Sequence, residues 1–184
     1  AFRVRGRDDA RVTSVVASFD GELLTIKKSG AVLENRVKRG LLEPTIATLD
    51  DRFYISIRAE DERGYLSRST DGLEWEPIRP WSWDDGEPLI MSTTQQRWLL
   101  HSDWLYLVYT RRGETNRNVM RWRAPLFVAR FDPERMCLIK ESEQIAVPLR
   151  GDGVNDPDHV ARLGNFHTVA VTPEESWVTV GESI

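Results

Sequence analysis

Asp51-Arg52-Phe53-Tyr54-Ile55-Ser56-Ile57-Arg58, followed by Ser69-Thr70-Asp71-Gly72-Leu73-Glu74-Trp75, decides how the rest of the chain is read. The first piece is rich in β-branched and aromatic residues, the composition of a buriable strand, and it ends in an arginine. The second is a tight polar turn closed by a tryptophan, and Asp-Gly within it is turn chemistry. Alternation dominates along the chain. Strands are expected at Val12–Ser18, Leu23–Ile26, Arg52–Arg58, Tyr65–Ser69, Trp98–His101, Leu105–Thr110, Pro125–Phe131, Met136–Lys140, Gln144–Val147, Phe166–Val171 and Trp177–Val180. Turns at Asp20-Gly21, Asp71-Gly72, Asp132-Pro133-Glu134 and Pro173-Glu174-Glu175 separate them. Only Glu60–Arg63 and the Arg111–Asn118 loop are helical or polar in character, so the expected class is all-β.

A weak repeat sharpens this. Asp51–Ile57 aligns without gaps with Asp103–Tyr109, an offset of 103 − 51 = 52, and Ser18-Phe19-Asp20-Gly21 aligns with Ser69-Thr70-Asp71-Gly72, an offset of 69 − 18 = 51. A period of about 50 residues suits one four-stranded propeller blade, and 184 residues would hold about three and a half of them. An ordinary β-sandwich also shows many short strands and stays open at this point.

Composition narrows the function. A single core and a single domain over 1–184 fit the length. A net charge of −4 argues against a general nucleic-acid binder, although arginines gather at Arg111-Arg112, read as a solvated hairpin end, and at Arg117, Arg121 and Arg123. The lone cysteine, Cys137, rules out an internal disulfide and a Cys-based zinc site, and its apolar neighbours suggest a packed thiol. No apolar run approaches the roughly 20 residues of a membrane-spanning helix, so no membrane span is expected. With Ala1 first and no signal peptide, the chain reads as a piece of a longer protein. Its compartment is open: periplasmic or extracellular if an upstream part carries an export signal. No cofactor and no metal are expected. The loop Gly151-Asp152-Gly153-Val154-Asn155-Asp156-Pro157-Asp158 has something of a calcium loop's spacing but lacks its ordered acidic series and terminal glutamate.

The Ser-x-Asp-Gly-x-x-Trp element at 69–75 resembles the Asp-box of the sialidase (neuraminidase) superfamily, and the similarity runs from about Leu41 to the C-terminus. It implies a fragment of about three to four blades of a six-bladed sialidase-like β-propeller, with the upstream blades missing. In that family a Glu-Pro step opens a strand pair whose second strand ends in an arginine. The glutamate assists a tyrosine nucleophile, and the arginine belongs to a triad gripping the substrate carboxylate. The matching residues are Glu43 and Arg58, with Arg123, or Arg121, as a later triad member. A planar guanidinium donates two parallel bonds to a carboxylate, and positive neighbours keep a glutamate ionised. The implied activity is a glycosidase acting on acidic, carboxylate-bearing glycans, with a glycan or oligosaccharide as partner.

The tyrosine is absent: its place reads Gly164-Asn165-Phe166-His167-Thr168. Asn165 could hydrogen-bond there, and His167 or His101 could act as acid, base or ligand contact near neutral pH. Two other readings follow: a non-catalytic carbohydrate-binding propeller, and a propeller-type polysaccharide lyase or rhamnosidase-like enzyme using histidine. Trp81 and Trp83 are expected in an exposed loop where they could stack on sugars, and Trp98, Trp104 and Trp122 in the core.

Overall fold

The computed structural model describes residues 2–3 and 9–183, and the chain is all-β with several antiparallel sheets, none closed on itself. Short β1 (Phe2–Arg3) pairs with β2 (Ala10–Arg11), and β3 (Val15–Phe19) forms a hairpin with β4 (Leu24–Ser29). Next comes a four-stranded meander of β5 (Leu42–Leu49), β6 (Arg52–Arg58), β7 (Gly64–Ser69) and β8 (Arg79–Pro80). A second meander follows with β9 (Arg97–His101), β10 (Trp104–Tyr109) and β11 (Leu126–Asp132). Its last edge is shared by β12 (Cys137–Leu138) and β13 (Gln144–Val147), which pair with opposite ends of β11. The long hairpin β14 (Arg162–Thr172) and β15 (Glu175–Ser183) closes the order.

Turn residues set these connections. Asp71 Oδ1 accepts from the backbone N–H groups of Leu73 (2.9 Å) and Glu74 (2.8 Å), while Gly72 takes the left-handed φ of 71° the turn requires. The Trp75 indole donates to Ser14 Oγ at 3.0 Å, and Ser14 in turn donates to the Gly72 carbonyl. This ties the turn to the segment leading into the β3–β4 hairpin. Asp20 and Asp132 each accept from the N–H groups two and three residues on, the same local chemistry in two further turns. The 52-residue repeat is visible too. Arg52 and Trp104 both open the second strand of a meander after a tight turn, with Asp50, Asp51 and Ser102 at positive φ.

The core is layered in chain order. Val12, Leu33 and Leu41 pack on Ile55, Ile57 and Ala59, on one face of the first meander. Tyr54, Leu66 and Trp81 on its other side meet Trp98, Leu107 and Phe131 of the second. Leu99, Val108 and Leu126 then meet Leu163 and Phe166 of the final hairpin. The first strands β5, β9 and β14 touch in that order.

Several expectations change. β5 was not foreseen as a strand over its length, because Pro44 interrupts its pattern and strands rarely carry proline away from an edge or bulge. Trp81 and Trp83 are buried, packed in the aromatic cluster between the meanders rather than exposed to stack on sugars. Trp104 is exposed, with the Arg130 guanidinium 4.4 Å over its ring. Arg111 is not a solvated hairpin end: its guanidinium pairs with Glu143, which also accepts from the Tyr109 hydroxyl at 2.6 Å, and it lies 4.5 Å over the Phe127 ring. Cys137 is packed as expected, and burial raises its thiol pKa. Among the described residues no helix is long and apolar enough to cross a membrane.

Candidate functional site

The register of β5 and β6 creates the site. Leu42 pairs with Arg58 and Thr45 with Ser56, so Glu43 and Pro44 form a bulge with one residue more than the facing strand. Such a bulge re-aims a side chain. Glu43 adopts a φ of 45°, which costs a non-glycine residue on the order of 1–3 kcal/mol. The result is contact: Arg58 Nη1 donates to Glu43 Oε2 at 2.6 Å. The Arg58 side chain is only 9% exposed, whereas that of Glu43 is 42% exposed. The carboxylate therefore faces solvent while the guanidinium is rooted in the sheet.

Arg123 joins them from the second meander. It follows the turn Met120–Trp122 and is anchored to the last hairpin, its Nη1 donating to the Leu163 carbonyl at 3.2 Å and its own carbonyl accepting from Leu163 N–H at 3.0 Å. Burial pulls the Arg123 pKa below the ordinary arginine value. The charges of Arg121 and Arg58 add to this, and Glu43 opposes it. A guanidinium stays protonated regardless, so the perturbation records crowding of positive charge. Two further residues complete the cluster. Arg39 pairs with Glu60, with Arg39 Nε donating at 2.7 Å. Those bonds lower the Glu60 pKa, with Arg58 contributing, and raise that of Arg39, with Glu43 contributing. Arg39, Arg58 and Arg123 thus lie in the field of Glu43 or Glu60, with Arg121 beside Arg123, a gathering of guanidinium groups suited to an anion. Arg58 and Arg123 each retain a sheltered Nε–H with no acceptor among the described residues.

The expected residues divide. Glu43, Arg58, Arg121 and Arg123 come together. Asn165 is near them in the chain path: exposed, in a bulge of β14 where Leu163 pairs with Glu182 but Phe166 with Val180, two residues from the Leu163 groups that Arg123 holds. His167 stands apart. It is four residues, about 13 Å of strand, beyond Leu163, exposed and paired with Thr179 on the side of β14 away from Phe166. His101 lies away from this cluster. It ends β9 beside the Ser102-Asp103 turn, and its Nδ1 lies 2.6 Å from Ser176 Oγ. That turn shares a depression with Leu49–Asp51, at the far end of β6 from Arg58 and about 20 Å away along the strand.

The sequence reading missed Arg39 and Glu60, and also a cleft beside them lined by Lys38, Glu60, Glu62, Met91–Thr93, Arg121 and Trp122. The available signal was the charged run Glu60-Asp61-Glu62-Arg63, placed just after Arg58 at the same end of the sheet. Among the described residues, Lys38, Glu43, Glu62, Arg121 and Trp122 have positive φ and lie at this site or its cleft. Backbone strain of this kind gathers where function requires it. In the Gly151–Asp158 loop, Asp152 accepts from the backbone of Val154 and Asn155 and from the Asn155 amide. No cluster of three or more metal-type side chains occurs among the described residues.

Compared with family models, curated proteins and solved structures, the chain finds no match.

Proposed function

We propose that this chain is part of a sialidase-like β-propeller that acts on carbohydrate, binding a carboxylate-bearing glycan as a glycosidase does. The observation that carries this reading is the 2.6 Å Glu43–Arg58 contact, with Arg123 brought from a separate sheet into the field of both. Residues 15 and 80 positions apart in the chain (58 − 43; 123 − 43) come within one another's electrostatic field. Layered meanders of four and five strands, contact between their first strands, and repeated Asp-capped turns support the propeller reading. In this reading Arg58 and Arg123 hold the sugar carboxylate, and Glu43 is the base or electrostatic partner at the reacting carbon.

A second reading, binding without hydrolysis, is favoured by the state of the phenols. Tyr65 donates to Asp61 and Tyr109 to Glu143, and burial is the main cause pushing both pKa values up, Tyr65 to about 12. Neither is an activated nucleophile.

One experiment separates these readings. The protein is incubated with sialyllactose and with a polyuronate, and both affinity and products are measured for wild type, Arg58→Ala and Arg123→Ala. Each substitution removes a charge-assisted bond worth about 1.5–3 kcal/mol, so affinity should fall roughly ten- to a hundredfold. Released free acid sugar marks a hydrolase, binding without product marks a lectin-like role, and an ultraviolet-absorbing unsaturated product marks a lyase. Unchanged binding and turnover in Arg58→Ala would remove the site from consideration.

A further inference from the structure

A polar pair lies at the end of the sheets away from the arginine cluster. Leu99 and His101 are two residues apart on β9 and share a face of the second meander, with Tyr106 directly opposite Leu99. Ser176 belongs to the face of β15 that carries Val178 and Val180 onto the core around Leu99 and Phe166. The two faces oppose one another, and His101 Nδ1 lies 2.6 Å from Ser176 Oγ across 75 positions of chain. Two bonds hold the elements together around this contact. The Ser102 hydroxyl donates to the Pro173 carbonyl at 3.1 Å, and the Thr168 hydroxyl donates to the Trp98 carbonyl at 2.6 Å.

The surroundings give the pair a chemistry. A serine hydroxyl within hydrogen-bond reach of an imidazole nitrogen is a nucleophile beside its base. Both residues are half-buried, sheltered yet within reach of a ligand. Both line a pocket of about 210 Å³ whose other walls are Leu99, Tyr106 and Val128. That volume is below the roughly 300–1,000 Å³ typical of pockets for drug-sized ligands. No Asp, Glu, Lys or Arg lines it, and beyond the pair its one polar group is the Tyr106 phenol. Such a pocket suits a short acyl chain. We propose that Ser176 and His101 form a dyad that hydrolyses esters of short carboxylic acids, with the acyl group seated against Leu99 and Val128. Ser176 Oγ bonds to the ester carbonyl carbon as its proton passes to His101 Nδ1. The Tyr106 hydroxyl donates to the carbonyl oxygen while it carries negative charge. The bond from that carbon to the alcohol oxygen then breaks, and the alcohol leaves with the proton from His101. Water adds to the acyl-serine and gives a proton to His101, which returns it to Ser176 Oγ as the acid departs. No residue of the arginine cluster takes part, so this activity stands or falls apart from the glycan reading.

Two measurements test the dyad on the 184-residue chain. A fluorophosphonate probe traps an activated serine covalently, and digestion with mass spectrometry locates the adduct. The adduct should sit on Ser176 and be lost in His101→Gln. Wild type should turn over p-nitrophenyl acetate about tenfold faster than the octanoate ester, whose chain overfills the pocket. Ser176→Ala and His101→Gln should each lower kcat for the acetate by roughly a hundredfold or more, with urea midpoints near that of wild type. No label on Ser176, acetate turnover equal in wild type and Ser176→Ala, or octanoate turned over as fast as acetate would overturn the proposal. Labelling needs only the wild-type protein, so it decides the question even where a variant fails to fold.

Discussion

Glu60 shows how a single residue reports on this site. Its carboxylate is held below the ordinary glutamate range, first by hydrogen bonds from Arg39 and then by Arg58. A carboxylate whose folded-state pKa is depressed contributes stability that is fully present above its unfolded value and lost as pH falls through the folded one. Glu60→Gln should therefore be less stable than wild type near neutrality, with the difference shrinking below about pH 4, the ordinary carboxylate range. Urea unfolding at several pH values checks this, and a pH-independent difference would count against the ion pair. Glu43 and Arg58 were legible in the sequence because a Glu-Pro step and a strand-ending arginine are local signals. Arg39 and Glu60 were not, since a charged residue in a loop reads as solvated until the fold supplies its partner. His101 has chemistry that suits a site, and its strand carries it to the opposite end of the sheet from Arg58.

At the scale of elements, alternation and Asp-Gly turns disclosed most of the strands; the two-residue strands β1, β2 and β8 are too short to carry a period-2 pattern, and a bulge with a proline hid β5. β5 is the instructive case. Its bulge at Glu43-Pro44 both hid the strand and brings Glu43 to Arg58, so the local rule breaks at the candidate site. The aromatic loop failed differently. Trp81 and Trp83 lie beside Asp84-Asp85-Gly86, a polar neighbourhood that conceals their burial between sheets. Two substitutions test the packing of these elements. Gly64 opens β7, and a Cβ there would sit 2.1 Å from Gln96 Nε2 and 2.7 Å from Met91 Sδ. Gly64→Ala should destabilise by about 1–3 kcal/mol through overpacking, seen as a lower urea midpoint. Glu143→Ala strands Arg111 and removes the acceptor of Tyr109. The pair is partly exposed, so the loss should be about 2–3 kcal/mol, below the 3–5 of a fully buried one. A loss under 0.5 kcal/mol in either variant would contradict the packing described.

For the whole molecule, the layers leave two apolar faces uncovered. Phe19, Leu24 and Ile26 are exposed on the β3–β4 hairpin, and Val169 and Trp177, a directly opposed pair, on β14–β15. Exposed apolar strands with free edges pair with other copies. The 184-residue chain should therefore associate with itself as concentration rises, and Phe19→Lys combined with Trp177→Lys should keep it monomeric in sedimentation velocity. A wild-type chain that is monomeric at high concentration would show these faces to be inert. The propeller reading stays a proposal resting on the order of the layers, because a repeat period and a turn motif describe one unit and not how units close.

The central claim is that Arg58 and Arg123 are aimed at a carboxylate. It is tested most directly by the affinity of the wild-type protein for an acidic sugar and for the same sugar with its carboxylate converted to carboxamide. The account predicts that the carboxamide binds at least tenfold more weakly, and that Arg58→Ala erases the difference. Equal affinity of wild type for the two ligands would contradict it.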